Sequence, residues 1–103
     1  MNEISQGDIV KLSGFRNCFL VVSKNAFIRS TGMFHVCPVF PGLSPGPVHI
    51  RIRFLLSGED AVACCEQVKL IDPKERGIGV IDRISYADKM EVSDTIQGIF
   101  EYD

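Results

Sequence analysis

A small, mainly β domain that ends in a helix is the fold that this 103-residue chain predicts. Short runs rich in Val, Ile and Phe crowd the first two thirds of the sequence, and the last fifth changes to the apolar spacing of a helix. The apolar fraction of 46% and the charged fraction of 23% are typical of a folded protein and argue against disorder. At this length one hydrophobic core is expected, so residues 1–103 are predicted to form a single domain.

Runs of β-forming residues, separated by turn-forming residues, predict five strands. They are Asp8–Leu12, Cys18–Ser23, Phe34–Phe40, Val48–Leu56 and Ala61–Leu70. Short sequential strands of this kind favour an antiparallel barrel or sandwich. The break at residues 13–15 suits a tight hairpin, whereas residues 41–47 contain three prolines and predict an exposed loop.

The C-terminal segment predicts a helix that packs on the sheet. Ser85 and Asp88 have the spacing of an N-terminal capping pair, and the helix is expected from about Tyr86 to Phe100. The apolar residues of its predicted buried face are Val92, Ile96, Ile99 and Phe100.

Two segments between these elements are less regular. Asn25–Gly32 fits either a short helical turn, capped by Asn25 and stopped by Gly32, or a loop. Residues 76–82 predict a turn followed by a short edge strand.

The four cysteines are interpreted as buried thiols. Cys18, Cys37, Cys64 and Cys65 all lie among β-forming apolar residues, where a thiol behaves as a small hydrophobic group. Disulfide and metal-binding roles are disfavoured, because the sequence contains neither a C-x-x-C pair nor a histidine at zinc-finger spacing. No metal ligand set and no cofactor are therefore predicted.

The N-terminus and the apolar runs of the sequence indicate in which compartment the protein is expected. No basic segment followed by an apolar one opens the chain, and the longest strongly apolar run, Cys18–Ser23, is far shorter than the roughly 20 residues of a membrane span. A cytoplasmic protein without membrane association is the expectation.

A net charge of −2 excludes bulk electrostatic attraction to nucleic acid, so any binding site for a polyanion must be local. The candidate is a basic stripe. Strict alternation over residues 49–54 places His49, Arg51 and Arg53 on one face of a strand and the apolar residues on the other. Taken alone, this pattern also fits a solvated strand face.

Four segments resemble the MazF/PemK family of bacterial ribonuclease toxins. Gly7-Asp8-Ile9 resembles the opening strand of the family, the run from Arg16 to Val22 its second strand, and Cys37-Pro38-Val39 its V-P-x segment. The segment from Glu66 to Asp72 resembles the motif [DE]-Q-[VIP]-[RK]-[ST]-[IL]-D and is the most specific of the four. The order of these features follows the family over nearly the whole chain.

The resemblance implies a twisted, SH3-like β-barrel with a C-terminal helix, a homodimer, and metal-independent cleavage of single-stranded RNA at short sequences. It also implies a cognate antitoxin whose extended acidic segment fills the groove. Arg16 and Glu66 match family positions and are the predicted catalytic residues: an arginine stabilises charge on phosphate, and a carboxylate accepts a proton or orients the ribose. The predicted RNA-binding residues are Gln67, Lys69, His49, Arg51, Arg53 and Ser44.

Several positions depart from the family pattern. Phe40 stands where many members have a Thr or Ser, and Ser44 is the nearest hydroxyl that could replace it. Cys64 stands where one branch has an arginine, and the first loop is short. Two function classes therefore remain open. One is a ribonuclease toxin; the other is a non-catalytic module on the same fold that binds RNA or a protein target, as gyrase-poisoning toxins do.

Overall fold

The computed structural model describes residues 3–102, which form seven strands and two helices. The strands are β1 (Asp8–Leu12), β2 (Cys18–Val21), β3 (Phe34–Phe40), β4 (His49–Arg53), β5 (Asp60–Cys64), β6 (Lys69–Ile71) and β7 (Ile78–Arg83). The helices are α1 (Asn25–Thr31) and α2 (Tyr86–Ile99). The predicted mainly β fold with a C-terminal helix is confirmed. Neither helix is long and apolar enough to cross a membrane.

One antiparallel sheet contains all seven strands in the order β4-β5-β3-β2-β1-β7, with β6 paired to β3. Within residues 3–102 the sheet is not closed, so the expected barrel describes it only loosely. The two ends nevertheless approach each other, because the backbone N–H of Leu55, just after β4, donates to the carbonyl of Arg83 at 2.9 Å. β7 forms an edge of the sheet, as predicted.

The centre of the sheet is buried on both faces, because alternate residues of β1, β2 and β3 enter two separate apolar clusters. One cluster lies under α2 and includes Ile9, Leu20 and Val92. The other lies on the opposite face, where Val10 and Phe19 pack together and Ile28 of α1 covers them. The face of β4 and β5 that points away from the α2 cluster is called the outer face below.

The predicted strand Ala61–Leu70 is wrong, because the structure divides it into β5 and β6. A turn separates them, in which the backbone N–H of Gln67 donates to the carbonyl of Cys64 at 3.1 Å. Glu66 and Gln67 are exposed in this turn, where water solvates their polar groups. In a buried strand the same groups would lose that hydration. β4 is also shorter than predicted, since the chain turns after Phe54, whose carbonyl accepts the N–H of Gly58 at 2.8 Å.

Of the two alternatives for residues 25–32, the structure shows the helix. Its N-cap is Lys24 rather than Asn25, whose side-chain oxygen instead accepts the backbone N–H of Gln6 at 2.7 Å. Gly32 ends the helix with a φ of 73°, a conformation that favours glycine.

The predicted cap of α2 is confirmed, because the hydroxyl of Ser85 accepts the N–H of Asp88 at 3.1 Å. The predicted apolar face is only half right. Val92 is buried and Ile96 packs beside it, but Ile99 and Phe100 are exposed because the last turn extends beyond the packed cluster.

Candidate functional site

The outer face presents the basic stripe in the predicted alternation. Ile52 is buried and Ile50 packs against the α2 cluster, whereas Arg51 and Arg53 are exposed and His49 is half-buried. Each stripe residue lies opposite a residue of β5, and the pairs are His49 with Cys64, Arg51 with Val62, and Arg53 with Asp60. Because cross-strand partners share a face, these six side chains lie on one face of the β4–β5 pair, where Val62 and Cys64 are buried.

His49 and Glu66 form a hydrogen-bonded pair at the end of this surface. Nε2 of His49 lies 2.9 Å from Oε2 of Glu66, although the two residues are 17 positions apart in the sequence. Their side chains remain 32% and 37% exposed, so a substrate can reach both. The bond from His49, helped by the backbone N–H of Glu66 and the side chain of Gln67, holds the pKa of the Glu66 carboxyl below its ordinary value. Glu66 is therefore a carboxylate near neutral pH.

Cys64 joins this pair, which the sequence did not predict. An imidazole nitrogen of His49, Sγ of Cys64 and a carboxylate oxygen of Glu66 all lie within 4.8 Å of one another. Spacing along the sequence predicts no set of metal ligands, and it does not connect these three residues. Strand pairing brings together donors that no sequence motif connects.

The three cations of the stripe are not equivalent. Nε of Arg53 lies 3.1 Å from Oδ1 of Asp60, so a carboxylate already compensates this guanidinium. Within residues 3–102, Arg51 has no acidic partner within ion-pair distance. Arg51 is therefore the cation of the stripe that is most available to bind a phosphate group.

A second group of cations lies on and beside Phe15, the residue before the predicted catalytic Arg16. Arg16 is exposed between β1 and β2, and its carbonyl accepts a hydrogen bond from Nζ of Lys11 at 2.9 Å. Its neighbour Phe15 carries two cations on its ring, since Nζ of Lys69 lies 5.0 Å and Cζ of Arg76 lies 5.1 Å from the ring centroid. Neither Phe15 nor Arg76 is among the residues that the sequence predicts for the site. An aromatic residue beside Arg16 in an exposed turn was the available signal.

The segment from Glu66 to Lys69 connects the two groups. Because three residues span at most about 11 Å of extended chain, the backbones of Glu66 and Lys69 lie within that distance of each other. No hydrogen bond or ion pair within residues 3–102 joins Arg16 directly to His49 or Glu66.

The other candidate residues lie as follows. Gln67 is exposed beside Glu66, and Ser44 is exposed in the loop between β3 and β4. Phe40, at the position where a hydroxyl was expected, lies opposite Val62 at the end of β3 and is half-buried. The second histidine, His35, packs on Phe27 of α1 with 5.0 Å between ring centroids and is not part of the outer face.

Comparison with known proteins gives one family and several similar structures. The family model of PemK-like, MazF-like toxins of type II toxin-antitoxin systems matches residues 6–100. MazE-MazF from Deinococcus radiodurans (Form-I) matches with a TM-score of 0.80 and 21% identity over 96% of this chain and 97% of that chain. Toxin MazF-mt6 from Mycobacterium tuberculosis matches with a TM-score of 0.68 and 15% identity over 95% and 98% of the two chains. At these identities the structures establish a shared fold. No curated protein sequence gives a significant match.

Proposed function

Because the chain belongs to the PemK-like, MazF-like family of toxins of type II toxin–antitoxin systems, we propose that it is a metal-independent endoribonuclease that cleaves single-stranded RNA at short sequences in the cytoplasm. The observation that supports this proposal most directly is the His49–Glu66 pair. It is a hydrogen-bonded imidazole and carboxylate on an open face, and the cation Arg51 lies on the same face.

Cleavage of this kind makes three chemical demands: removal of the 2′-hydroxyl proton, stabilisation of negative charge on the phosphate, and protonation of the leaving 5′-oxygen. The His49–Glu66 pair meets the first. When the carboxylate accepts a hydrogen bond from Nε2–H of His49, it orients the ring and leaves Nδ1 free to take the 2′-hydroxyl proton.

Arg16 and Arg51 meet the second demand, because a guanidinium remains charged and its planar fork fits two phosphate oxygens. Lys69 and Arg76, which both lie against the ring of Phe15, add positive charge. The site is open to solvent at His49 and Glu66, so water protonates the leaving 5′-oxygen, and the hydroxide that remains takes up the proton held by His49.

The proposed partners follow from the same surface. In Deinococcus radiodurans, MazE and MazF form a complex. We propose that a cognate antitoxin occupies the outer face of this chain with an extended acidic segment, and that the toxin acts as a homodimer. Arg51 and the cations around Phe15 are the groups that such a segment would neutralise.

The decisive experiment incubates purified protein with mixed single-stranded RNA in EDTA and maps the cut ends. The proposal expects cleavage, with 2′,3′-cyclic or 3′-phosphate ends and 5′-hydroxyls. Glu66→Gln keeps the shape of the side chain but removes its charge and should slow cleavage by a factor of about 10² or more. Glu75→Gln, at an exposed glutamate outside the site, is the matched control and should cut as fast as the parent. Activity that EDTA abolishes and magnesium restores would contradict the proposal.

One observation favours a second function, a non-catalytic module that binds RNA or a protein target. Phe40 cannot donate a hydrogen bond to a phosphate oxygen, and losing one such donor costs a factor of about 10² to 10³ in rate. If the parent binds single-stranded RNA but leaves it intact at long incubation, this second function replaces the first.

A further inference from the structure

Three side chains with different metal-binding preferences meet at one end of the outer face. They are the imidazole of His49, the thiol of Cys64 and the carboxylate of Glu66, and one donor atom from each lies within 4.8 Å of the other two. A histidine, a cysteine and a carboxylate are all established zinc ligands. Hard cations such as Mg²⁺ and Ca²⁺ prefer oxygen donors and bind thiolates poorly.

The backbone holds these donors in place. His49 and Cys64 are direct cross-strand partners, and the pairing continues one residue further, where the N–H of Cys65 donates to the carbonyl of Val48 at 3.0 Å. The tight turn after Cys64 is closed by the N–H of Gln67, and it returns Glu66 toward the histidine. Two of the ligands therefore stand on a sheet, and the third stands on a short turn anchored to it.

Cys64 differs from the other cysteines in its surroundings. Cys37 and Cys65 belong to the apolar cluster under α2, and Cys18 packs against that cluster. Cys64 is 2% exposed but belongs to neither apolar cluster, because strand alternation places its side chain on the outer face with His49. The polar side chains of His49 and Glu66 therefore lie beside its thiol.

We propose that His49, Cys64 and Glu66 form a zinc-binding site with three protein ligands and one open position. Donors bound to a single tetrahedral zinc ion are about 3.2 to 3.8 Å apart, given bond lengths near 2.0 to 2.3 Å. The His49–Glu66 distance of 2.9 Å opens by a few tenths of an ångström, and the widest separation closes by about 1 Å. Side-chain rotation supplies both changes. Zinc binding displaces the thiol proton of Cys64.

A zinc ion here would occupy both the imidazole and the carboxylate assigned above to proton transfer. Zinc and RNA cleavage are then mutually exclusive, which makes the metal an inhibitor. This consequence rests on the proposed ribonuclease function, whereas metal binding itself does not.

The test is a titration of the reduced, chelator-treated full chain with Co²⁺, which occupies zinc sites and reports thiolate ligation by charge-transfer absorption in the near ultraviolet. The parent is expected to bind one equivalent with this band and with the strong visible bands of tetrahedral cobalt, and Zn²⁺ should abolish both. Cys64→Ser should lose the charge-transfer band, while Cys18→Ser, the matched control, should retain it.

A second variant guards against a Cys64 substitution that disturbs folding. Glu66→Gln changes an exposed turn residue and should weaken cobalt binding at least tenfold while keeping the thiolate band at saturation. A parent without the charge-transfer band, or a band that survives in folded Cys64→Ser, would overturn the proposal. Inhibition of RNA cleavage by Zn²⁺ is scored separately, so failure of the ribonuclease and failure of the metal site give different results.

Discussion

Nε of Arg53 lies 3.1 Å from Oδ1 of Asp60, its partner across the β4–β5 pair, whereas Arg51 lies opposite the apolar side chain of Val62. Two exposed arginines on the same face of β4 therefore differ in how much uncompensated charge they offer. The sequence alone gives no reason to distinguish Arg51 from Arg53, whereas the structure shows that only Arg53 has a carboxylate partner in the part of the chain that it describes.

This difference predicts unequal effects on RNA binding. Arg51→Gln should reduce the slope of log K against log salt concentration by about 0.7, the value for one lost phosphate contact on a single strand. Arg53→Gln should reduce the slope by less, because Asp60 already compensates that charge. Fluorescence anisotropy of a labelled 2′-O-methyl RNA, which cannot be cleaved, measures both. If Arg51→Gln and the parent have equal slopes, the stripe is only a solvated strand face.

Arg16→Ala should lower single-turnover cleavage by a factor of more than about 10², the scale of lost transition-state charge stabilisation. The free energy of unfolding should hardly change, since the side chain is exposed. Arg83→Ala, which removes an exposed arginine from β7, serves as the control for lost positive charge. An Arg16→Ala variant that cuts RNA at the parental rate would remove Arg16 from the catalytic residues.

Dimerisation is expected through strand edges and the segment Asn25–Gly32. The structure adds a groove of about 490 Å³ beside α1, whose lining includes Ile4, Ile28 and Phe34. Light scattering of the parent at high micromolar concentration should give the dimer mass. Ile28→Glu should shift the mass toward the monomer, because a buried charge at an interface is costly. Leu56→Glu, at a site 74% exposed, should not. A monomeric parent would contradict this prediction.

Asp82 should contribute strongly to stability. It is 4% exposed and accepts backbone N–H groups from Leu56 at 2.8 Å, Arg83 at 2.8 Å and Ser57 at 3.0 Å. Burial alone would raise the pKa of Asp82, but these donors outweigh it and hold that pKa below the ordinary value. Asp82→Asn turns an amide N–H₂ toward one of these donors and should lower the free energy of unfolding by about 2 kcal/mol at pH 7.

The sign of the pH dependence follows from the lowered pKa. The contribution of Asp82 is fully present above the ordinary carboxyl pKa of about 3.9 and is lost as the pH falls through the lower folded value. Urea unfolding should therefore show the deficit of Asp82→Asn at neutral pH and a smaller deficit below about pH 4. Asp60→Asn, which breaks only an exposed ion pair, should cost less than about 0.5 kcal/mol. A deficit that is constant from pH 7 to pH 3 would contradict the assignment.

Much of the fold was predictable, because the spacing of apolar residues along the chain distinguishes strands from helices. The bounds of β1 and β3 and the Ser85 cap of α2 agree with the structure. The sequence placed Glu66 inside a strand, because Val, Leu and Ile flank it. In the structure, Glu66 and Gln67 lie in a solvated turn. A local sequence pattern does not predict this, because it does not contain the position of the protein surface.

The candidate site divides in the same way. The sequence by itself determined the family resemblance, the choice of Arg16 and Glu66, and the face shared by His49, Arg51 and Arg53, since a period of two depends only on neighbouring residues. Only the tertiary structure decided that His49 bonds Glu66, that Cys64 joins them, and that Asp60 compensates Arg53. These contacts depend on the register between β4 and β5 and on the turn after β5. Register is set by packing across the whole sheet, and a shift of one residue would turn each of these side chains to the opposite face.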